Sequence, residues 1–235
     1  KQLPLLLVNA RMSQKSASRY AYAKPLVRQA LASLRQIAAQ TEDDANRLRE
    51  LGAKNILVYG NMKFDVTVPD EMIQRGNQLR SLFGPRPVFL VASTRDGEEL
   101  QLIDYIKQFS VADLLMVIVP RHPQRFDEVA ALIQKRDIKM QRRSDHQTIN
   151  ADTKIVLGDS MGEMFAYFQA CDVAFVGGSL LPLGGQNIIE ACAVGKPVIV
   201  GPHTFNFKDA VNNAVACGAA IQVNDAKQLM DKANE

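Results

Sequence analysis

Residues 176–191, VGGSLLPLGGQNIIEA, set two glycine pairs on either side of five residues and place Asn187 and Glu190 directly after them. Glycine lets main chain lie close to a ligand. A helix beginning near Gln186 would present uncovered N–H groups to an anion at its positive end. On this reading Gly177, Gly178, Gly184 and Gly185 bare their amides to a phosphate. Glu190, one turn into the helix, suits sugar hydroxyls better than phosphate. The chemistry is then that of a nucleotide, with phosphate at the glycines and ribose at the glutamate. The same letters also fit a glycine-rich loop that only lets a helix pack close to a strand. The spacing is not G-x-G-x-x-G, and no Gly-Lys-Ser/Thr follows, which weakens hydride transfer and ATP hydrolysis.

Other unusual residues follow apolar runs. Ser93-Thr94-Arg95-Asp96-Gly97-Glu98-Glu99 is a polar turn opening a helix, with acids placed to suit its dipole. Pro120-Arg121-His122-Pro123 holds an arginine on a stiff backbone, where its fork can meet phosphate or carboxylate; a plain surface turn fits as well. Gly158-Asp159-Ser160-Met161-Gly162-Glu163 lets main chain approach a flat ligand, or is a helix start capped by Asp159 or Ser160. In GPHTFNF (201–207) the aromatic residues suit packing, and His203 suits a structural place. The three histidines are far apart, and neither a Ser–His–Asp arrangement nor a His/Cys metal spacing stands out.

These turns need elements to hold them. Runs at 3–10, 55–60, 88–93, 114–120, 154–158, 172–178, 197–201 and 219–223 read as strands, apolar on both faces. Helical spacing falls at 19–35, 70–82, 97–109, 124–136, 162–170, 186–194 and 207–217. Thr41 with Asp44 forms a capping-box pattern ahead of a helix that Gly52 stops. The stretch 142–153 is the most polar loop. Alternating strands and helices imply parallel sheets covered on both faces, with ligands beyond the carboxyl ends of the strands. FGPRP (83–87) is the best linker, dividing residues 1–84 from 85–235 as two α/β domains with a cleft between them.

The 235 residues are 47% apolar and 23% charged, ordinary for a globular protein. A net charge of +3 without a basic tract gives no reason to expect nucleic acid. Cys171, Cys192 and Cys217, an odd number without CxxC spacing, read as buried thiols of a reducing compartment. LPLLLVNA is too short to span a bilayer and lacks a signal-peptide layout. Both ends suggest a piece of a longer protein.

Taken together and in order, NARMS (9–13), AQTEDDANRLRELGA (39–53), GNMKFD (60–65), STRDGEE (93–99), VPRHPQRF (119–126), GDSMGEM (158–164), FVGGSLLPLGGQNIIEA (175–191) and GPHTFNF (201–207) resemble the 3-deoxy-D-manno-octulosonic acid (Kdo) transferase family. The resemblance covers nearly the whole chain. It departs at Ile188, where the family commonly has Pro, and at Arg95-Asp96, where His-Glu or His-Pro is expected.

The resemblance implies a GT-B glycosyltransferase: two Rossmann-like parallel-sheet domains facing across a cleft, the N-terminal one incomplete here. It implies transfer of Kdo from CMP-Kdo to a lipid A precursor, with inversion and without metal or cofactor, at the cytoplasmic face of a bacterial inner membrane. By motif, Glu190 would bind the ribose. Ser179, Gly184, Gly185 and Asn187 would surround the phosphate, helped by Arg121, with Gly178, Gln186, Pro120 and His122 beside them. Gly158 and Met161 would meet the cytosine, and Ser93 and Thr94 would line the floor. The family's general base, a glutamate upstream of NARMS, and its membrane anchor would lie before Lys1, so no catalytic residue is assigned in this chain. Two other readings stand beside this one: a GT-B nucleotide-sugar epimerase, which would favour UDP and need acid/base carboxylates, and a nucleotide-binding module without turnover.

Overall fold

A computed structural model describes residues 3–106, 111 and 113–235. Positions 107–109, the end of the helix expected at 97–109, lie outside the described residues. The chain forms two compact units, Lys1–Asp65 and Val66–Glu235.

The first unit is a parallel three-stranded sheet in the order β1-β2-β3, built from β1 (Leu6–Ala10), β2 (Gln36–Ala39) and β3 (Ile56–Val58), with helices α1 (Gln14–Ala21), α2 (Lys24–Ala32) and α3 (Glu42–Glu50). One helix was expected over 19–35. Instead two helices meet at residues 22–23, and Pro25 sits in the first turn of α2. A proline there removes a backbone donor and clashes with the turn before it, so a helix starts at that point more readily than it continues through it. Strand β1 was expected to be buried, yet Leu6 is 61% and Val8 60% exposed. Ala10, Ile37, Leu48 and Ala53 make the small core of this unit.

Thr41 caps α3 by accepting from the Asp44 amide at 3.1 Å. Asp44 does not complete the box, because its Oδ1 accepts from the Met12 amide at 2.8 Å. Gly52, at φ 103, ends the helix as expected.

The second unit carries a parallel seven-stranded sheet in the order β10-β9-β8-β4-β5-β7-β6. Its strands are β4 (Val88–Thr94), β5 (Leu115–Pro120), β6 (Met140–Arg142), β7 (Ile155–Leu157), β8 (Val173–Val176), β9 (Val198–Val200) and β10 (Ala220–Gln222). Alternate residues of each central strand face opposite ways, and both faces are covered. One face packs on α4 (Asp70–Phe83), α7 (Met164–Ala170), α8 (Ile189–Ala193) and α9 (Lys208–Ala216) through Leu90, Ala92, Val117, Val156 and Val176. The other packs on α5 (Glu98–Tyr105), α6 (Phe126–Gln134) and α10 (Ala226–Asn234) through Phe89, Val91, Met116, Ile118 and Phe175.

The unit boundary falls at 65/66, ahead of α4, and FGPRP is a turn inside the second unit. Helix α4 lies against α7: a Cβ on Gly76 would come within 2.3 Å of Gln169 Cβ. Leu79 and Phe83 are buried in the sheet-facing core. Arg80 donates to Ala170 O at 3.2 Å and pairs with Asp172 at 2.9 Å. Among the described residues, no helix is long and apolar enough to cross a membrane. Cys171 is buried, as expected for all three cysteines, but Cys192 is half-buried and Cys217 exposed.

Candidate functional site

The chain leaves β4 toward β5 on one side and later returns to β8 on the other, so the sheet reverses its winding at β4. In open parallel sheets ligands lie beyond the carboxyl ends of the strands at such a point. A pocket of about 360 Å³ opens there, with Ser93 from the end of β4, Pro120 and Arg121 from the end of β5 and just beyond it, Ser160 to Glu163 from the turn after β7, Met164 and Phe165 from the start of α7, and Glu190 from α8.

Five of the sequence-predicted residues, Ser93, Pro120, Arg121, Met161 and Glu190, therefore share one pocket. Asn187 joins them through its Nδ2, which donates to Glu190 Oε1 at 3.1 Å. Arg121 is anchored by its amide on Thr94 O at 3.0 Å, and its exposed guanidinium makes no side-chain hydrogen bond or ion pair among the described residues. Ser93 holds φ 54, a left-handed conformation that costs a non-glycine residue about 1–3 kcal/mol. The surrounding contacts must hold it there.

One wall is a polar network not legible in the sequence. Glu163, nearly buried, accepts from Arg75 Nη1 at 3.0 Å, from Arg143 Nη2 at 3.4 Å and from the Ser160 hydroxyl. Ser160 also lies 2.7 Å from the hydroxyl of Tyr167. Burial pushes the Tyr167 phenol well above its ordinary value, so it stays protonated. Asp159 was one of two expected helix caps. Instead it accepts from Ser144 N at 2.9 Å and Ser144 Oγ at 2.7 Å, tying the polar loop to the turn 158–163, and α7 begins only at Met164.

The glycine loop differs from its expected form. Helix α8 starts at Ile189, not near Gln186, and is five residues long. Three of the four glycine amides, those of Gly177, Gly178 and Gly185, are not bare. Gly177 N donates to Ala92 O at 2.8 Å, Gly185 N to Gly178 O at 2.6 Å and Gln186 N to Gly177 O at 3.0 Å. The amides of Gly178, Ser179 and Leu180 all donate to the Glu98 carboxylate, at 2.7, 3.0 and 3.0 Å. The Ser179 hydroxyl is spent on Val176 O and the Gly201 amide. Gly184 lies under residue 206, where a Cβ would come within 2.3 Å of Asn206 Nδ2.

Gly178, Ser179, Gly184, Gly185 and Gln186 therefore shape the loop without lining the pocket. Gly158 packs against Val119 and Tyr167. Thr94 is fully buried and donates to Glu99 at 2.8 Å. His122 leads the short 3-10 turn Pro123–Arg125, outside the pocket lining. Sequence reasoning treated Glu98 as a helix-dipole acid and gave Glu163, Arg75 and Arg143 no role. The Gly-Glu pairs at 97–98 and 162–163 were the only signal, and each reads as an ordinary helix start.

Residues 1–66 match the family described as 3-deoxy-D-manno-octulosonic-acid transferase (kdotransferase), and residues 100–235 match glycosyl transferases group 1. The 3-deoxy-D-manno-octulosonic acid transferase of Bordetella pertussis is 44% identical over 97% of this chain, and that of Haemophilus influenzae 35% over 100%. The chain spans about half the length of these relatives, 55% and 56%. The C-terminal CMP-Kdo binding domain of WaaA from Acinetobacter baumannii superposes with a TM-score of 0.66 at 38% identity, over 69% of this chain and 87% of that one. A glycosyltransferase from Rickettsia africae aligns over 97% of this chain and 58% of its own, with a TM-score of 0.51 at 17% identity, which speaks for the fold alone. The two parallel-sheet α/β units are of the GT-B type. The chain belongs to the group 1 glycosyl transferases and, within them, to the Kdo transferase family.

Proposed function

We propose that the pocket at the carboxyl ends of β4, β5 and β7 holds the CMP moiety of CMP-Kdo. The chain is then the donor-binding part of an enzyme that moves Kdo to a lipid A precursor. The observation that carries this is the convergence of Ser93, Arg121, Met161 and Glu190 on one pocket at the winding reversal of the sheet. The relative described as a CMP-Kdo binding domain supports the choice of nucleotide.

Glu190, oriented by Asn187, is the acceptor for ribose hydroxyls. Arg121 supplies the cation beside the phosphate. The turn 158–163 meets the cytosine, with Met161, 58% exposed, at the mouth. Displacement of CMP by an acceptor hydroxyl, with inversion at the anomeric carbon, makes negative charge grow on the departing phosphate. A guanidinium there stabilises that charge without a metal or cofactor. In this reading the deprotonating base is a residue outside this sequence, and a lipid acceptor implies a membrane surface, taken here as the cytoplasmic face of a bacterial inner membrane.

Calorimetric titration with CMP, UDP and NADH in the presence of EDTA tests the reading. CMP should bind, UDP should bind about tenfold or more weakly, a difference of about 1.4 kcal/mol, and NADH should give no saturable heat. Equal binding of UDP and CMP, or loss of CMP binding in EDTA, would contradict it.

A further inference from the structure

Four main-chain N–H groups converge on one buried carboxylate beside the pocket. Glu98 is 0% exposed. Its Oε2 accepts from Gly178 N at 2.7 Å and Arg95 N at 2.9 Å, and its Oε1 from Ser179 N and Leu180 N, both at 3.0 Å. An ionised carboxylate has about four acceptor sites, and here each is filled by an uncharged donor. No ion pair to Glu98 occurs among the described residues. The nearby Arg125 goes to the adjacent Glu99, at 3.1 Å.

Successive amides pointing into one concavity form the kind of nest that elsewhere binds phosphate. In this loop the anion is supplied by the chain itself, from the first turn of α5. The nest therefore gives nothing to an incoming nucleotide, and the donor's phosphate is left to the Arg121 side of the pocket.

What the carboxylate fixes is visible in the contacts around it. A Cβ on Gly177 would meet Ser93 O and Thr94 Cα at 2.8 Å and Glu98 Oε2 at 2.9 Å, so the turn after β4 and the loop after β8 lie directly against each other. Ser93, in its left-handed conformation, lines the pocket. Asn187 and Glu190 follow the clamped loop. An acid that only complemented a helix dipole would sit in solvent and be replaceable at little cost; Glu98 is sealed and has all its sites filled.

We propose that Glu98 is a positioning residue of the donor site. By filling the amide nest it sets the placement of Ser93 and of the loop that carries Asn187 and Glu190, and the nest, once vacated, accepts a small anion from solution. The part that concerns nucleotide rests on the reading of the pocket given above; the part that concerns the nest does not.

The test uses Glu98→Ala and Glu98→Gln in the full chain. Thermal unfolding and CMP titration are measured in sodium formate and in sodium chloride of equal ionic strength. Removing an acceptor from several charge-assisted hydrogen bonds should weaken CMP binding about tenfold or more in both variants. Formate, but not chloride, should raise the unfolding midpoint of Glu98→Ala and restore its CMP affinity. It should leave the wild type and Glu98→Gln unmoved, because their nests are already filled.

A role confined to stability would lower the midpoint without making CMP affinity follow formate. Wild-type CMP affinity in Glu98→Ala, or no formate-specific stabilisation of it, would overturn the proposal. If Glu98→Ala is obtained only unfolded, refolding in formate and not in chloride gives the same readout, and failure to refold counts against it. Absence of CMP binding by the wild type would sink the donor reading, while the formate response would still decide the nest.

Discussion

Glu98 and Glu99 are sequence neighbours, both fully buried, with different hydrogen-bond partners. Glu98 is held by four amides. Glu99 accepts from the Thr94 hydroxyl at 2.8 Å and pairs with Arg125 at 3.1 Å, yet burial outweighs these partners and raises its pKa above the ordinary 4.5. A raised carboxylate pKa means the folded state binds the proton more tightly than the unfolded state does. Stability should therefore fall as pH rises from about 4.5 through the raised value. In Glu99→Gln that decline should disappear, read as a flatter plot of unfolding midpoint against pH; an unchanged slope would mean that Glu99 does not titrate in this window. Glu190 is tested by affinity instead. Glu190→Gln should weaken CMP binding by about 1–3 kcal/mol, the usual cost of impairing a hydrogen bond to a charged group. Unchanged calorimetric affinity with an intact fold would remove it from the ribose.

At the scale of elements, the glycine loop works by close packing. Gly177→Ala would press a methyl group against Ser93 O and Thr94 Cα, both backbone atoms that cannot swing aside. It should lower stability by about 1–3 kcal/mol, measured by chemical denaturation. A loss near zero would mean the two turns separate easily. The long central strands were legible because covering both faces demands continuous apolar residues, as in VFLVA and LLMVIV. Elements that lacked this demand were missed. Strand β6 (Met140–Arg142) lies at the sheet edge, half-buried, and its letters carry no strand signal. Strand β2 (Gln36–Ala39) has one large apolar residue, Ile37. The bare-amide reading failed at Gly178 because the acid that fills the nest lies 80 residues away, at Glu98.

At the scale of the whole molecule, the class of fold and the location of the pocket followed from alternation and from strand ends. The division of the chain did not. FGPRP has the composition of a linker, but Gly76, Leu79 and Phe83 commit α4 to the second unit, and only three-dimensional packing on α7 reveals that. The same packing brings Arg75 to Glu163, 88 residues on, and so completes one wall of the pocket. Five sequence-chosen residues reached the pocket because each lies at the carboxyl end of a strand, in the turn that follows one, or in the first turn of the next helix.

The most direct measurement is a crystal structure of the chain soaked with CMP. The cytosine should lie at the turn 158–163, the ribose within hydrogen-bond reach of Glu190, and the phosphate toward Arg121, with the Gly178–Leu180 amides still on Glu98. CMP bound elsewhere, or a phosphate seated on those amides with Glu98 displaced, would contradict the account.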